Sequence, residues 1–333
     1  MNILKNYMLT NKSNSKSDYK KDSLNIDRTE QLLNKIYKRD REFINACYFD
    51  ILEKSFDVNL RLTKNSSYLF EISKKFINQA LDSSYIIFIN SFPDFTQSKK
   101  GQLSIEKFDY KRLSYKNGEY EASGLYKNGS ISINMDYLIK DDIIAVKRAA
   151  KRYKSKTEFI EALRSGRNIW GNNLRISLFY LYSTVYHEVF HYLQDTYISP
   201  NLNKENNLKS HWLYIEGSAS YFDKFMMNLI MKGPDVIPDK FKYQIARDVN
   251  ELAKDLDKFK DSRLNNTDTY HKLGSAVFSI INYQLNFDLV RYLKLLKILS
   301  DEKKLSDGNL IKLIEKEYNS EFHELTSLTR LKR

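Results

Sequence analysis

Residues 187–191 read His-Glu-Val-Phe-His. On a helix, positions i and i+4 share one face a turn apart, so both imidazoles can meet one divalent cation. Imidazole nitrogen suits Zn2+ at roughly 2.0–2.1 Å. Glu188 stands beside His187, where its carboxylate reaches a water on the metal rather than the metal. Zinc brings the pKa of such a water to about 7, and a neighbouring carboxylate takes its proton as it attacks a carbonyl. The chain has 5 histidines in 333 residues. Two of them at this spacing around a glutamate arise by chance in well under ~1% of such sequences.

A catalytic zinc takes three protein ligands and keeps one open position. Glu216, His211, His271 and His323 are the candidates for the third. The pattern His-x-x-Gly-x-x-His is absent, because Gln194 stands where its glycine would be. Glu216 has the most suitable surroundings. It sits in Trp212-Leu213-Tyr214-Ile215-Glu216-Gly217-Ser218-Ala219-Ser220-Tyr221, an otherwise apolar helix in which small residues follow the acid and let a second helix come close. A buried carboxylate needs a partner, and a metal or an ion pair supplies one. His211 fits the start of that helix.

Together, His187-Glu188-Val189-Phe190-His191-Tyr192-Leu193-Gln194-Asp195 and Glu216-Gly217-Ser218-Ala219-Ser220-Tyr221 resemble the gluzincin zinc metallopeptidases, and more narrowly the peptidase-MA-like bacterial proteins. The segment Tyr270-His271-Lys272-Leu273-Gly274-Ser275-Ala276-Val277-Phe278 is similar to a Tyr-x-x-x-Gly-Ser-x-x-Phe stretch in such proteins. The resemblance spans roughly residues 85–330. It implies a zincin-like catalytic domain, zinc held by His187, His191 and Glu216, and Glu188 as general base. It also implies a protein or peptide substrate and a hydrogen bond from Tyr270 to the developing oxyanion, a role in which a phenol binds harder as charge grows. There are departures. No Gly-x-Met-Glu-Asn element is present, which argues against an aminopeptidase. Ser220 stands four residues after Glu216, where thermolysin-like enzymes have an Asp, so support for the ligands must come from elsewhere. Asp195 and Asp223 are candidates for orienting a ligand histidine.

The elements that would position these residues can be read from periodicity. Arg28–Phe56 carries apolar residues at helical spacing, and Ser66–Leu81 is a second helix. Tyr85-Ile86-Ile87-Phe88-Ile89, ended by Asn90, Ser91 and Pro93, reads as a buried strand. Gly118–Tyr126 and Ser130–Asp136 flank Lys127-Asn128-Gly129, whose Asn-Gly supplies the positive φ angles of a tight hairpin. Ser130–Asn134 alternates polar and apolar, so one face should be buried and the other exposed. By analogy with gluzincins this strand should edge the cleft, where an extended peptide can pair with it. Helices are expected at 141–153, 156–164, 172–198, 208–231, 239–259, 269–286, 288–300, 308–317 and 320–330. The fold class is therefore α+β and mostly helical, with a small mixed or antiparallel sheet before a helical C-terminal half. Residues 1–27 read as a disordered tail and 28–82 as a helical segment packed on the catalytic domain. That domain would span 83–333, with its sheet part in 83–140 and its helical part in 141–333.

Composition bounds the alternatives. Apolar residues make up 42%, aromatics 14%, and Pro (4) and Gly (10) are scarce, which favours long helices over a turn-rich β fold. The net charge of +12 admits nucleic acid or acidic partners. The basic residues are spread along the chain with no basic arm, so nucleic acid is not the expected partner. The single cysteine, Cys47, excludes an intramolecular disulfide and reads as a small core residue. No apolar run approaches ~18 residues, so no membrane span is expected. The N-terminus lacks the apolar core of a signal peptide. A cytoplasmic protein, or one secreted without a cleaved signal into a host cell as a bacterial effector or toxin, fits this pattern, and a monomer is the expectation. Two other readings stay open: a catalytically inactive zinc-binding scaffold, and a basic nucleic-acid-binding protein with a coincidental motif.

Overall fold

A computed structural model describes residues 19–56, 60, 62, 67–92, 95, 104–105, 113–115, 118–120, 123–127, 129–164, 169–200, 211–234, 271, 274–275, 277–279, 281–282 and 288–301. These residues are mostly helical, with two small sheets. In chain order the elements are α1 (Tyr19–Lys54), α2 (Ser67–Ser91), β1 (Ser104–Ile105), β2 (Leu113–Tyr115), β3 (Gly118–Tyr120), β4 (Gly124–Lys127) and β5 (Ser130–Ile133). There follow α3 (Asp141–Ala150), α4 (Lys156–Arg164), α5 (Ile169–Leu193), α6 (Trp212–Lys232) and α7 (Leu289–Asp301). Single π-helical turns at Asp136–Lys140 and Gln194–Ile198 abut α3 and α5. The expected helices at 239–259, 308–317 and 320–330 lie outside the described residues, and that at 269–286 is described only in part.

The described residues divide into two compact units, one within 38–86 and 97–192, the other within 1–37, 87–96 and 193–333. The core of the first unit forms where Phe43, Phe76 and Tyr182 meet, with ring centroids 5.0 Å (43–76) and 5.4 Å (76–182) apart. Such tilted and edge-on pairs add about 0.5–1.5 kcal/mol each beyond area burial. Asp40 is fully buried at this junction, and Tyr186, Gln79 (2.8 Å) and Ser83 (2.7 Å) donate hydrogen bonds to its carboxylate. Tyr186 is the residue before His187, so this polar knot holds α5 immediately behind the motif. Cys47 is buried as expected, and burial pushes its thiol up to about 11, which keeps it protonated and inert.

The second unit centres on Tyr214, Tyr221, Phe278 and Tyr292, whose rings meet at 5.1–6.3 Å. Here α6 meets the helical stretch containing Gly274 glycine against glycine. A Cβ on Gly217 would lie 2.5 Å from the Gly274 Cα, and one on Gly274 2.3 Å from the Gly217 Cα. The small residues after Glu216 thus serve the close helix approach that their size suggested.

Two local expectations are corrected. Residues 85–89 are not a strand but the last turns of α2. Leu81, Ser84, Tyr85 and Phe88 are buried, whereas Ile89 is exposed, a helical repeat that tertiary packing imposes on β-branched residues. The helix α1 begins at Tyr19. The strand β5 buries Ser132 as well as Ile131 and Ile133, and Asn134 just after it is buried too, so both its faces are covered despite the alternating sequence. It is the middle strand of the order β1-β5-β4, parallel to β1 and antiparallel to β4. The hairpin is present: β4 and β5 pair in register Lys127↔Ser130 and Gly129 has φ 81°.

Candidate metal centre

The helix α5 is apolar on nearly every side from Leu181 to Leu193, with Val185, Tyr186, Val189 and Phe190 fully buried. A helix of that kind belongs in an interior, and polar side chains on it must be satisfied there. His187, Glu188 and His191 are all buried. Helical geometry brings the two imidazoles together as the spacing predicted: their Nε2 atoms are 3.0 Å apart and their ring planes cross at 84°.

Glu216 completes a group. One donor atom each from His187, His191 and Glu216 lies within 4.8 Å of the others. Donors about 2.0–2.1 Å from a tetrahedral zinc stand roughly 3.3–3.5 Å apart, so small side-chain adjustments bring this set to that geometry. Two imidazoles and a carboxylate are also a donor chemistry that zinc takes. The three residues can hold a metal ion. Of the other candidate ligands, His211 is the residue preceding α6. His323 and Tyr270 lie outside the described residues. Asp195, in the π-helical turn, and Asp223, on α6, are half-buried.

His271 stands one step out from the group. Its Nδ1 is 3.6 Å from Glu216 Oε2 and 2.8 Å from Ser220 Oγ. The Gly217–Gly274 crossing brings the two helical stretches close three residues along from Ser220 and His271. Ser220, the departure from the thermolysin-like pattern, therefore faces an imidazole.

Two further neighbours were given no role in the sequence reading. A Cβ built on Gly124 would lie 2.7 Å from Glu188 Oε1, 2.8 Å from its Cγ and 2.8 Å from Thr184 Cγ2. So β4 passes close to the Glu188 carboxylate, and glycine is what lets its backbone approach. The available signal was a glycine opening a strand, which marks close backbone approach. The second neighbour is Gln194, whose Nε2 donates to Ser218 Oγ (2.8 Å) and to the Ile215 carbonyl (3.2 Å), on either side of Glu216. Among the described residues no helix is long and apolar enough to cross a membrane. In comparisons with known proteins, the chain matches no family model, no curated protein and no solved structure.

Proposed function

We propose that this chain is a zinc-dependent endopeptidase of the gluzincin kind, with a zincin-like catalytic domain. The observation that carries the reading is the convergence of His187, His191 and Glu216 into one donor group with a buried Glu188 beside it. When bound, zinc supplies the positive charge that acidifies a water and polarises a carbonyl. The chain's residues do the rest. His187 and His191 approach from one helix face and Glu216 from α6. Glu188, adjacent to His187, accepts the proton of the attacking water on a carboxylate oxygen and passes it to the leaving amine, a contribution of about 10²–10⁴-fold. Tyr270 is the proposed donor to the oxyanion.

An extended peptide is favoured as substrate because β4 is the terminal strand of its described sheet and Gly124 touches Glu188. The outer edge of such a strand offers backbone groups to which a peptide can pair, delivering a scissile bond to Glu188. Action inside a host cell after secretion is part of the proposal and rests on the sequence alone.

The test is metal analysis of wild type and Glu188→Gln, followed by mapping of new N-termini in a lysate treated with each. About one zinc per chain in both, with cleavage only by wild type, is the expected result. Equal cleavage by both proteins would sink the assignment. Stoichiometric zinc with no cleavage by either would favour the inert scaffold. Zinc below a tenth of an equivalent with salt-sensitive DNA binding would favour the nucleic-acid reading.

A further inference from the structure

The pair Gln194-Asp195 directly follows the second histidine, and the function proposed above gives Gln194 no task. Gln194 is buried in the π-helical turn, three residues after His191. Its amide nitrogen reaches the Ile215 carbonyl and the Ser218 hydroxyl, the two positions that bracket Glu216 and lie one turn apart on α6.

The direction of these bonds is fixed by chemistry. Ser218 Oγ donates back to the Tyr214 carbonyl at 2.7 Å, so its lone pairs are left to accept from Gln194. The Ile215 carbonyl has two lone pairs and can take Gln194 without giving up a helical bond. The amide therefore attaches to α6 without disrupting it. It fixes α6 both along its axis and in rotation, because the two acceptors sit at different heights on the helix.

Rotation matters most for a metal ligand. A carboxylate ~6 Å from the helix axis moves by about 1 Å when the helix turns by ~10°. Ligand constellations tolerate errors of only about 0.5 Å. We infer that Gln194 is a positioning residue of the metal centre: its amide sets the rotation of α6 and so the place of the Glu216 carboxylate. The π-helical turn contributes by changing the helical register just after His191, and such turns recur at functional sites.

This inference rests on the metal reading, and the experiment separates the two. Zinc dissociation constants would be measured on the folded full-length protein by competition with a chromophoric chelator, alongside the melting midpoint without metal. The variants are Gln194→Met, of similar length with no donor, and Ser218→Ala, which removes one acceptor. Tyr214→Phe serves as control, since its hydroxyl meets Ser199 Oγ (3.0 Å) and the Leu296 carbonyl on α7 (2.8 Å) and neither Gln194 nor Ser218. Gln194→Met should weaken zinc about 10–100-fold, the usual effect of losing an outer partner of a metal ligand. Ser218→Ala should weaken it several-fold, and the double variant no more than Gln194→Met alone. Tyr214→Phe should lower the midpoint and leave zinc affinity unchanged.

A Gln194→Met protein with a lowered midpoint but zinc affinity within twofold of wild type would overturn the inference and leave the metal reading intact. If Gln194→Met does not fold, Ser218→Ala decides, and an affinity within twofold of wild type overturns the inference. Failure of wild type to take up zinc at all overturns both.

Discussion

Gly124→Ala tests whether Glu188 does the chemistry, because it acts on that carboxylate and on none of the three metal donors. The glycine has no positive φ, so alanine is acceptable to the backbone, and in a strand it is even mildly favoured. The whole effect is steric. The new methyl would lie 2.7 Å from Glu188 Oε1, and ordinary contact begins near 3.4 Å, so the carboxylate must retreat by about 0.7 Å. Its Cγ, at 2.8 Å, must give way too, so a rotation of the carboxylate alone is not enough. Displacement of a reacting group by 1 Å costs on the order of 100-fold. Gly124→Ala should therefore lower cleavage by about 10–100-fold while zinc content stays at the wild-type level. The assay is the initial rate on a peptide library, read by mass spectrometry, with zinc measured on the same sample. Overpacking costs typically 1–3 kcal/mol, so the melting midpoint must be measured to confirm that the variant is folded at the assay temperature. Thr184→Ser removes the Cγ2 that blocks the other side, and in that background part of the lost rate should return. Wild-type cleavage by a folded, zinc-loaded Gly124→Ala would refute the reasoning.

Other outcomes follow from the same geometry. His271→Ala removes the imidazole facing Glu216, and zinc affinity measured by chelator competition should fall several-fold with little change in the melting midpoint. Gly217→Ala puts a methyl 2.5 Å from the Gly274 Cα, where only backbone can yield. It should destabilise the fold by about 1–3 kcal/mol in urea titrations and weaken zinc binding as well. Asp40 makes a pH prediction. Burial raises its pKa above the ordinary 3.8, so the native state holds this proton more tightly than the unfolded chain. Its contribution to stability is full below 3.8 and is lost as pH rises through the raised value. Asp40→Asn lacks that loss, so the stability difference between it and wild type should shift toward the variant as pH rises from 4. Urea midpoints across the pH series check this, and a constant difference would contradict it.

Several features depended only on sequence-local rules. The His187/His191 spacing puts both imidazoles on one face of any α-helix, within reach of each other, so the motif made that half of the site legible. Asn128-Gly129 determined the hairpin, because glycine accepts the φ of 81° that the turn needs. The small residues after Glu216 indicated a close helix crossing, and the glutamate itself was legible as an acid on an apolar helix. What remained undecided by sequence were the partners of these elements. Residues 85–89 have the composition of a strand, yet helical packing of Tyr85 and Phe88 outweighs that preference. The alternation in β5 suggested an exposed face, but Ser132 is buried as well as Ile131 and Ile133, so packing covers the polar face too. That Gly124 meets Glu188, that Gln194 grips α6 around Glu216, and that His271 faces Glu216 are contacts across 21 to 64 positions of sequence. Local periodicity carries no information about which faces meet at such separations; only tertiary packing selects them.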